Sequence, residues 1–89
     1  MEIEYKVEFL HDAINNLRKL DKPIAQRILN KINWLSENFD YITPQPLTAD
    51  FKKMYKLRAG DWRIIYTVDL KEHLIKIHMI DHRKDIYKK

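Results

Sequence analysis

Gly60 is the only glycine in the 89 residues, and it falls between two runs of strand-like composition. Residues 53–59 and 62–68 both read as strands, and only Gly60 and Asp61 separate them. A two-residue connection with glycine first suits a type II′ turn, whose twist matches that of the strands it joins. Such a turn fixes which residues stand opposite one another. It predicts Ala59 across from Trp62, Leu57 from Ile64 and Tyr55 from Tyr66 on one side of the sheet. On the other side it sets Arg58 across from Arg63, Lys56 from Ile65 and Met54 from Thr67. The first side is apolar and the second carries three cations. A slip of one residue would mix the two sets, so their segregation supports the register.

A third strand continues the pattern. With a loop at residues 69–72, Tyr66 pairs with Ile75, Ile64 with Ile77 and Trp62 with Met79, all on the apolar side. The same alignment sets Arg63 against His78 and Ile65 against Lys76, giving an antiparallel meander. Upstream, Ile3, Tyr5, Val7 and Phe9 alternate with charged residues, as in a half-buried strand. The period then changes. Leu10, Ala13, Ile14, Leu17 and Leu20 share one helical face, with Asn15, Asn16, Arg18 and Lys19 opposite. Asp21-Lys22-Pro23 stops this helix and starts another, striped by Ile24, Ile28, Ile32 and Leu35 with Leu29 beside them, and ending near Ser36-Glu37-Asn38. Pro44 and Pro46 predict an irregular but ordered stretch over residues 39–51. The expected class is α+β: a single domain over residues 1–89, order β-α-α-β-β-β, with two helices on one face of a four-stranded sheet.

Seventeen Lys and Arg against thirteen Asp and Glu give a formal charge of +4, which suits a polyanionic partner, nucleic acid or an acidic protein. Cysteine is absent, so neither disulfides nor thiolate metal sites brace the fold. No apolar run approaches bilayer length and the first residues do not read as a signal peptide, which points to the cytoplasm.

On the polar side of the meander Arg58 faces Arg63, with Lys56, Lys76 and His78 nearby and no acid expected among its interior positions. Like charges directly opposite repel, and an external anion relieves them; paired guanidinium groups fit the oxygens of a phosphate. The plainer reading is a solvated face whose cations discourage edge pairing. Past the last strand, Arg83 and Tyr87 come within reach of this face, Tyr87 either to stack on a base or simply to anchor the terminus. His82, as a histidine, is a candidate for proton transfer, or a surface residue. The four histidines show no metal-ligand spacing and no acidic cluster joins them, so no metal and no cofactor is expected.

The run Tyr55-Lys56-Leu57-Arg58-Ala59-Gly60-Asp61-Trp62-Arg63-Ile64-Ile65-Tyr66 resembles the central hairpin of the RelE/ParE toxin superfamily. The ending His82-Arg83-Lys84-Asp85-Ile86-Tyr87 resembles its C-terminal signature, and Val7-Glu8-Phe9 and the Leu-Asp-Lys-Pro-Ile around Pro23 fit as well. The RelE-like branch implies the toxin of a type II toxin–antitoxin system. Such a toxin is a ribosome-dependent endoribonuclease that drives a ribose 2′-hydroxyl onto the adjacent phosphate without a metal. Carried over, the resemblance gives Lys56 a part in proton transfer, Arg63 and Arg83 the scissile phosphate, and Tyr87 the nucleotide. Arg58, Lys76 and Lys52 would add RNA contacts. The implied partners are a partly acidic antitoxin, the ribosome and mRNA, with the free toxin a monomer. One departure stands out: the family pattern has a lysine where this chain has Met54, leaving Lys52 or His82 to substitute. The ParE-like branch, same fold, implies a DNA gyrase inhibitor, and a non-catalytic basic module that binds RNA or protein is a third reading.

Overall fold

The computed structural model describes residues 4–47 and 53–82. Strand β1 (Lys6–Phe9) leads into helix α1 (His11–Arg18) and, after a short corner, helix α2 (Lys22–Asn38). A single 3₁₀ turn at Phe39–Tyr41 precedes the two-residue strand β2 (Gln45–Pro46). Strands β3 (Tyr55–Ala59), β4 (Trp62–Asp69) and β5 (Leu74–His82) form the meander. The sheet has five strands in the order β1-β5-β4-β3-β2, one more than the sequence predicts. The α+β class and the succession of a strand, two helices and a meander stand as expected.

The extra strand corrects the reading of residues 39–51. Proline is excluded from a central strand because it cannot donate to the ladder, but an edge strand tolerates it. Gln45 and Pro46 pair with Lys56 and Tyr55, and the Leu47 amide donates to the Met54 carbonyl at 2.8 Å.

The first hairpin has the predicted register: Tyr55–Tyr66, Lys56–Ile65, Leu57–Ile64, Arg58–Arg63 and Ala59–Trp62. Gly60 has φ +63° while Asp61 stays at negative φ, as a type II′ turn requires and a type I′ turn does not. The second hairpin departs from expectation. Asp69 pairs with Leu74, so the loop is residues 70–73 and begins one residue later than predicted; His73 closes it at φ +53°. Tyr66 therefore pairs with Ile77 and Val68 with Ile75. A bulge then inserts one residue, His78, into β5, and beyond it Ile65 pairs with Met79, Ile64 with Ile80, Arg63 with Asp81 and Trp62 with His82. The bulge lets both Ile77 and Ile80 face the helices, although they are three apart.

The core lies between the helices and this face. Ala13 from α1 and Ile28, Ile32 and Leu35 from α2 pack with Ile64, Tyr66, Ile75, Ile77 and Ile80. Burial of each branched side chain contributes about 1.5–3 kcal/mol, so the shared core explains why the two helices hold against the sheet. Two residues read as part of the helices' apolar faces, Ile14 and Leu29, are exposed. Asn16, expected to face solvent, instead accepts the Ile80 amide at 2.9 Å, where β1 has ended and no longer pairs β5. Asp21 takes the N-cap of α2 without a side-chain capping bond, and Pro23 sits at the second helical position rather than the first.

β1 joins the sheet parallel to β5, with Lys6 beside Leu74, Val7 beside Ile75, Glu8 beside Lys76 and Phe9 beside Ile77. Tyr5 just before it is buried against Phe39, and its hydroxyl donates to Asp40 at 3.2 Å.

Candidate functional site

The face of the sheet away from the helices carries the candidate residues. Alternation along β3 sends Lys56 and Arg58 to this side, because Leu57 and Tyr55 pack against the core. On β4 the same rule sends Arg63, Ile65 and Thr67 there, since Ile64 and Tyr66 are in the core. Gln45 on β2 lies beside Lys56. Together Gln45, Lys56, Leu57, Arg58 and Arg63 line a concavity of about 430 Å³. Three cations and an amide surround it, and among the described residues no carboxylate does. Such a lining offers N–H donors of fixed geometry to an anion of phosphate size.

The neighbourhood differs from expectation in three ways. Arg63 is buried, only 6% exposed, where an open-face position implied a side chain that buries little. Asp81, not His78, stands across from it, so the face is not free of acids. Glu8 stands across from Lys76, which is neighboured on β4 by Thr67 rather than Ile65. The Asp81 pairing follows from the later loop together with the bulge, the Thr67 pairing from the later loop, and the Glu8 pairing from the parallel edge strand. Ile65 on this face is likewise buried, 2% exposed, and shares with Met54 and Met79 an apolar neighbourhood beyond the cations.

His78 occupies the bulge and is hydrogen-bonded to Thr67 Oγ1 at 2.8 Å. Burial, and secondly the nearby Lys76 ammonium, hold its imidazole below the usual histidine range. His82, paired with Trp62, lies on the helix side of the sheet, its ring edge-on to the indole at 5.3 Å. That is the face opposite Arg63. Lys52, Arg83 and Tyr87 fall outside the described residues.

Lys56, Arg58 and Arg63 are thus the predicted residues that share one concavity, and Lys76 stands farther off beside Glu8. Gln45 escaped sequence reasoning because its flanking prolines argue against a strand. The available signal was that an edge strand admits them.

Comparison with known proteins identifies the family. The family model of the ParE toxin of type II toxin–antitoxin systems, parDE, matches residues 7–87. A putative RelE-like toxin protein of Escherichia coli is 32% identical, over 96% of this chain and 92% of that protein. Toxin RelE of Mycobacterium tuberculosis is 26% identical, over 94% and 87% respectively. The crystal structure of the RelBE2 toxin–antitoxin complex of the same organism superposes with a TM-score of 0.80 at 26% identity, covering 91% of this chain and 93% of that one. From the hairpin register to the family match over most of its length, this chain belongs to the RelE/ParE superfamily of type II toxin–antitoxin toxins.

Proposed function

We propose that this toxin is an endoribonuclease that cuts mRNA on the ribosome, using the 2′-hydroxyl of the message as its nucleophile. The observation that carries the reading is the concavity in which Lys56, Arg58 and Arg63 converge with Gln45 and no carboxylate lines the wall among the described residues. RNA already contains its nucleophile. A protein that cleaves it has to hold the 2′-oxygen in line with the phosphorus, move two protons and stabilise the charge that develops on the phosphoryl oxygens.

In this scheme the 2′-oxygen bonds to phosphorus as its proton leaves, and the bond to the 5′-oxygen breaks as that oxygen gains a proton. The products are a 2′,3′-cyclic phosphate and a 5′-hydroxyl. Arg63 and Arg83 bind the phosphoryl oxygens, Lys56 takes part in proton transfer, and Tyr87 orients the nucleotide. Arg58, Lys52 and Lys76 draw in the RNA backbone. Arg63 suits its part because a guanidinium held in a buried, packed setting loses little on meeting a transition state.

The partner in the cell is a cognate antitoxin, partly acidic, that neutralises this +4 chain. Support comes from the structural relative, which is a toxin–antitoxin complex. The compartment that holds ribosomes and message, the cytoplasm, is where such a toxin acts; among the described residues no helix is long and apolar enough to cross a membrane.

A second reading has its own observation. Met54 and Met79 flank buried Ile65 on the same face, and a gyrase-inhibiting toxin needs a protein-binding surface there rather than a nuclease site. Single-turnover cleavage on programmed ribosomes, mapped by primer extension, tests the first reading beside a gyrase supercoiling assay. Lys56→Ala and Arg63→Lys should each slow cleavage, by roughly 10²–10³ where a transition-state contact is lost. Wild-type cleavage by both variants sinks the proposed active site, and supercoiling inhibition with no cleavage by the native toxin sinks the nuclease.

A further inference from the structure

Arg27, Lys31 and Trp34 recur along α2 at steps of four and three residues, with Asn30 next to Lys31, which aligns them on one side of the helix beside the buried stripe. This side faces the tip of the first hairpin. A side chain added at Gly60 would meet Nη1 of Arg27 at 4.0 Å, so the guanidinium lies close to the turn. Between the two runs a concavity of about 370 Å³, with Arg58, Ala59 and Gly60 as its far wall. A second, of about 300 Å³, separates Lys31 and Trp34 from Pro44, Gln45, Lys56 and Arg58.

These hollows adjoin the candidate active site. Arg58 lines all three, while Gln45 and Lys56 line both the second and the active-site concavity. The path therefore runs from Arg63 past Lys56 and Arg58, around the outer edge of β3, to Lys31 and Arg27. Five cations border it, and among the described residues no carboxylate lines any of the three hollows. Beside the path stands Trp34, 41% exposed, with the Lys31 ammonium 4.2 Å from its ring centroid. Scattered cations serve solubility, but a row sharing walls with an exposed indole offers what single-stranded nucleic acid binds: backbone charge and a flat surface for a base.

We propose that this track holds the nucleotides of the cleaved strand that flank the scissile phosphate. A base stacks on Trp34 and the phosphates lie against Arg58, Lys31 and Arg27. The inference rests on the cleavage reading and deepens it. It commits to the substrate strand because the track is continuous with the concavity that strand would occupy.

The test uses the full toxin and uncleavable 2′-O-methyl oligonucleotides from about 4 to about 12 nucleotides, a span typical of single-strand binding sites. Affinity should rise with length in the native protein. Arg27→Gln and Lys31→Gln should each flatten the salt dependence, lowering the log–log slope by about 0.7 per lost phosphate contact. Trp34→Leu should weaken binding roughly tenfold, and this loss should vanish with an abasic strand, as stacking demands. In a Trp62→Phe background, the remaining emission from Trp34 should be quenched on binding. Affinity independent of length, or unaltered by all three substitutions, overturns the track. So does an aspartate-rich peptide that binds as tightly with the same dependence on Trp34, which would make this a protein-docking face. Slowed cleavage on ribosomes with unchanged oligonucleotide binding also overturns it, assigning the surface to ribosomal RNA. Lys56→Ala separates the two levels: if it alone weakens binding, the track fails and the cleavage site stands. If it and the α2 variants all bind as the native toxin does, the track falls, and single-turnover cleavage by Lys56→Ala decides the cleavage reading separately.

Discussion

Arg63 lines the candidate site although only 6% of its surface meets solvent, which makes it both a candidate for chemistry and a part of the fold. Its aliphatic stem packs in the sheet, so Arg63→Ala removes packing as well as charge. We expect that variant to unfold at lower urea concentration, with a loss of about 1–3 kcal/mol. Arg63→Lys, which retains stem and charge but not the guanidinium fork, should recover much of that stability while leaving cleavage impaired. A different buried polar group yields a pH test. Burial, and secondly the neighbouring Tyr55, push the Tyr66 phenol from 10.0 up to about 12. Its folded value is raised, so its contribution is complete below pH 10.0 and is lost as pH rises toward about 12. Native protein should lose roughly 2 kcal/mol across that window relative to Tyr66→Phe, measured by urea unfolding at each pH. Parallel pH profiles for the two proteins would remove the burial argument.

Among the elements, β5 departs most from an ideal strand. Its bulge places His78 against Thr67 and Lys76 on the polar face and swings Ile80 back into the core. Because the His78 imidazole is held below its usual range, the folded state resists protonating it. The sign is opposite to that of Tyr66: stability is present above the ordinary histidine range near 6.5 and falls as acid drives the proton on. His78→Gln should flatten the acid side of the stability profile; a profile unchanged by it would show that His78 is not the group responsible. The first hairpin was legible because Gly60 and the cation–apolar segregation jointly fix one register. The second was not, since nothing in Leu74-Ile75-Lys76-Ile77-His78-Met79-Ile80 distinguishes a regular strand from one with an extra residue. Both put isoleucines inward, and only packing against α1 and α2 decides between them. The later loop and that insertion together set Asp81 opposite Arg63, which is why the acid on the site's face went unforeseen. β2 was hidden for another reason. A two-residue strand has no period to read, and its prolines speak against it.

At the scale of the molecule, a basic toxin with a small core should be recovered well only with its partner. Co-expression with an acidic neighbour from the same operon should give a stable 1:1 or higher complex and restore growth. The toxin alone should arrest growth, and normal growth at confirmed expression would contradict the nuclease and gyrase readings alike. The parallel pairing of β1 with β5 has a consequence in time. Lys6 must find Leu74, and Val7 must find Ile75, across almost the whole intervening chain. Contacts so distant in sequence close late, because loop entropy is lost before they form. During synthesis, at about 5–20 residues per second, β1 has no partner strand until β5 has cleared the exit tunnel. Until then the edge of the sheet that β1 completes does not exist, so no folded toxin can form before β5 has emerged.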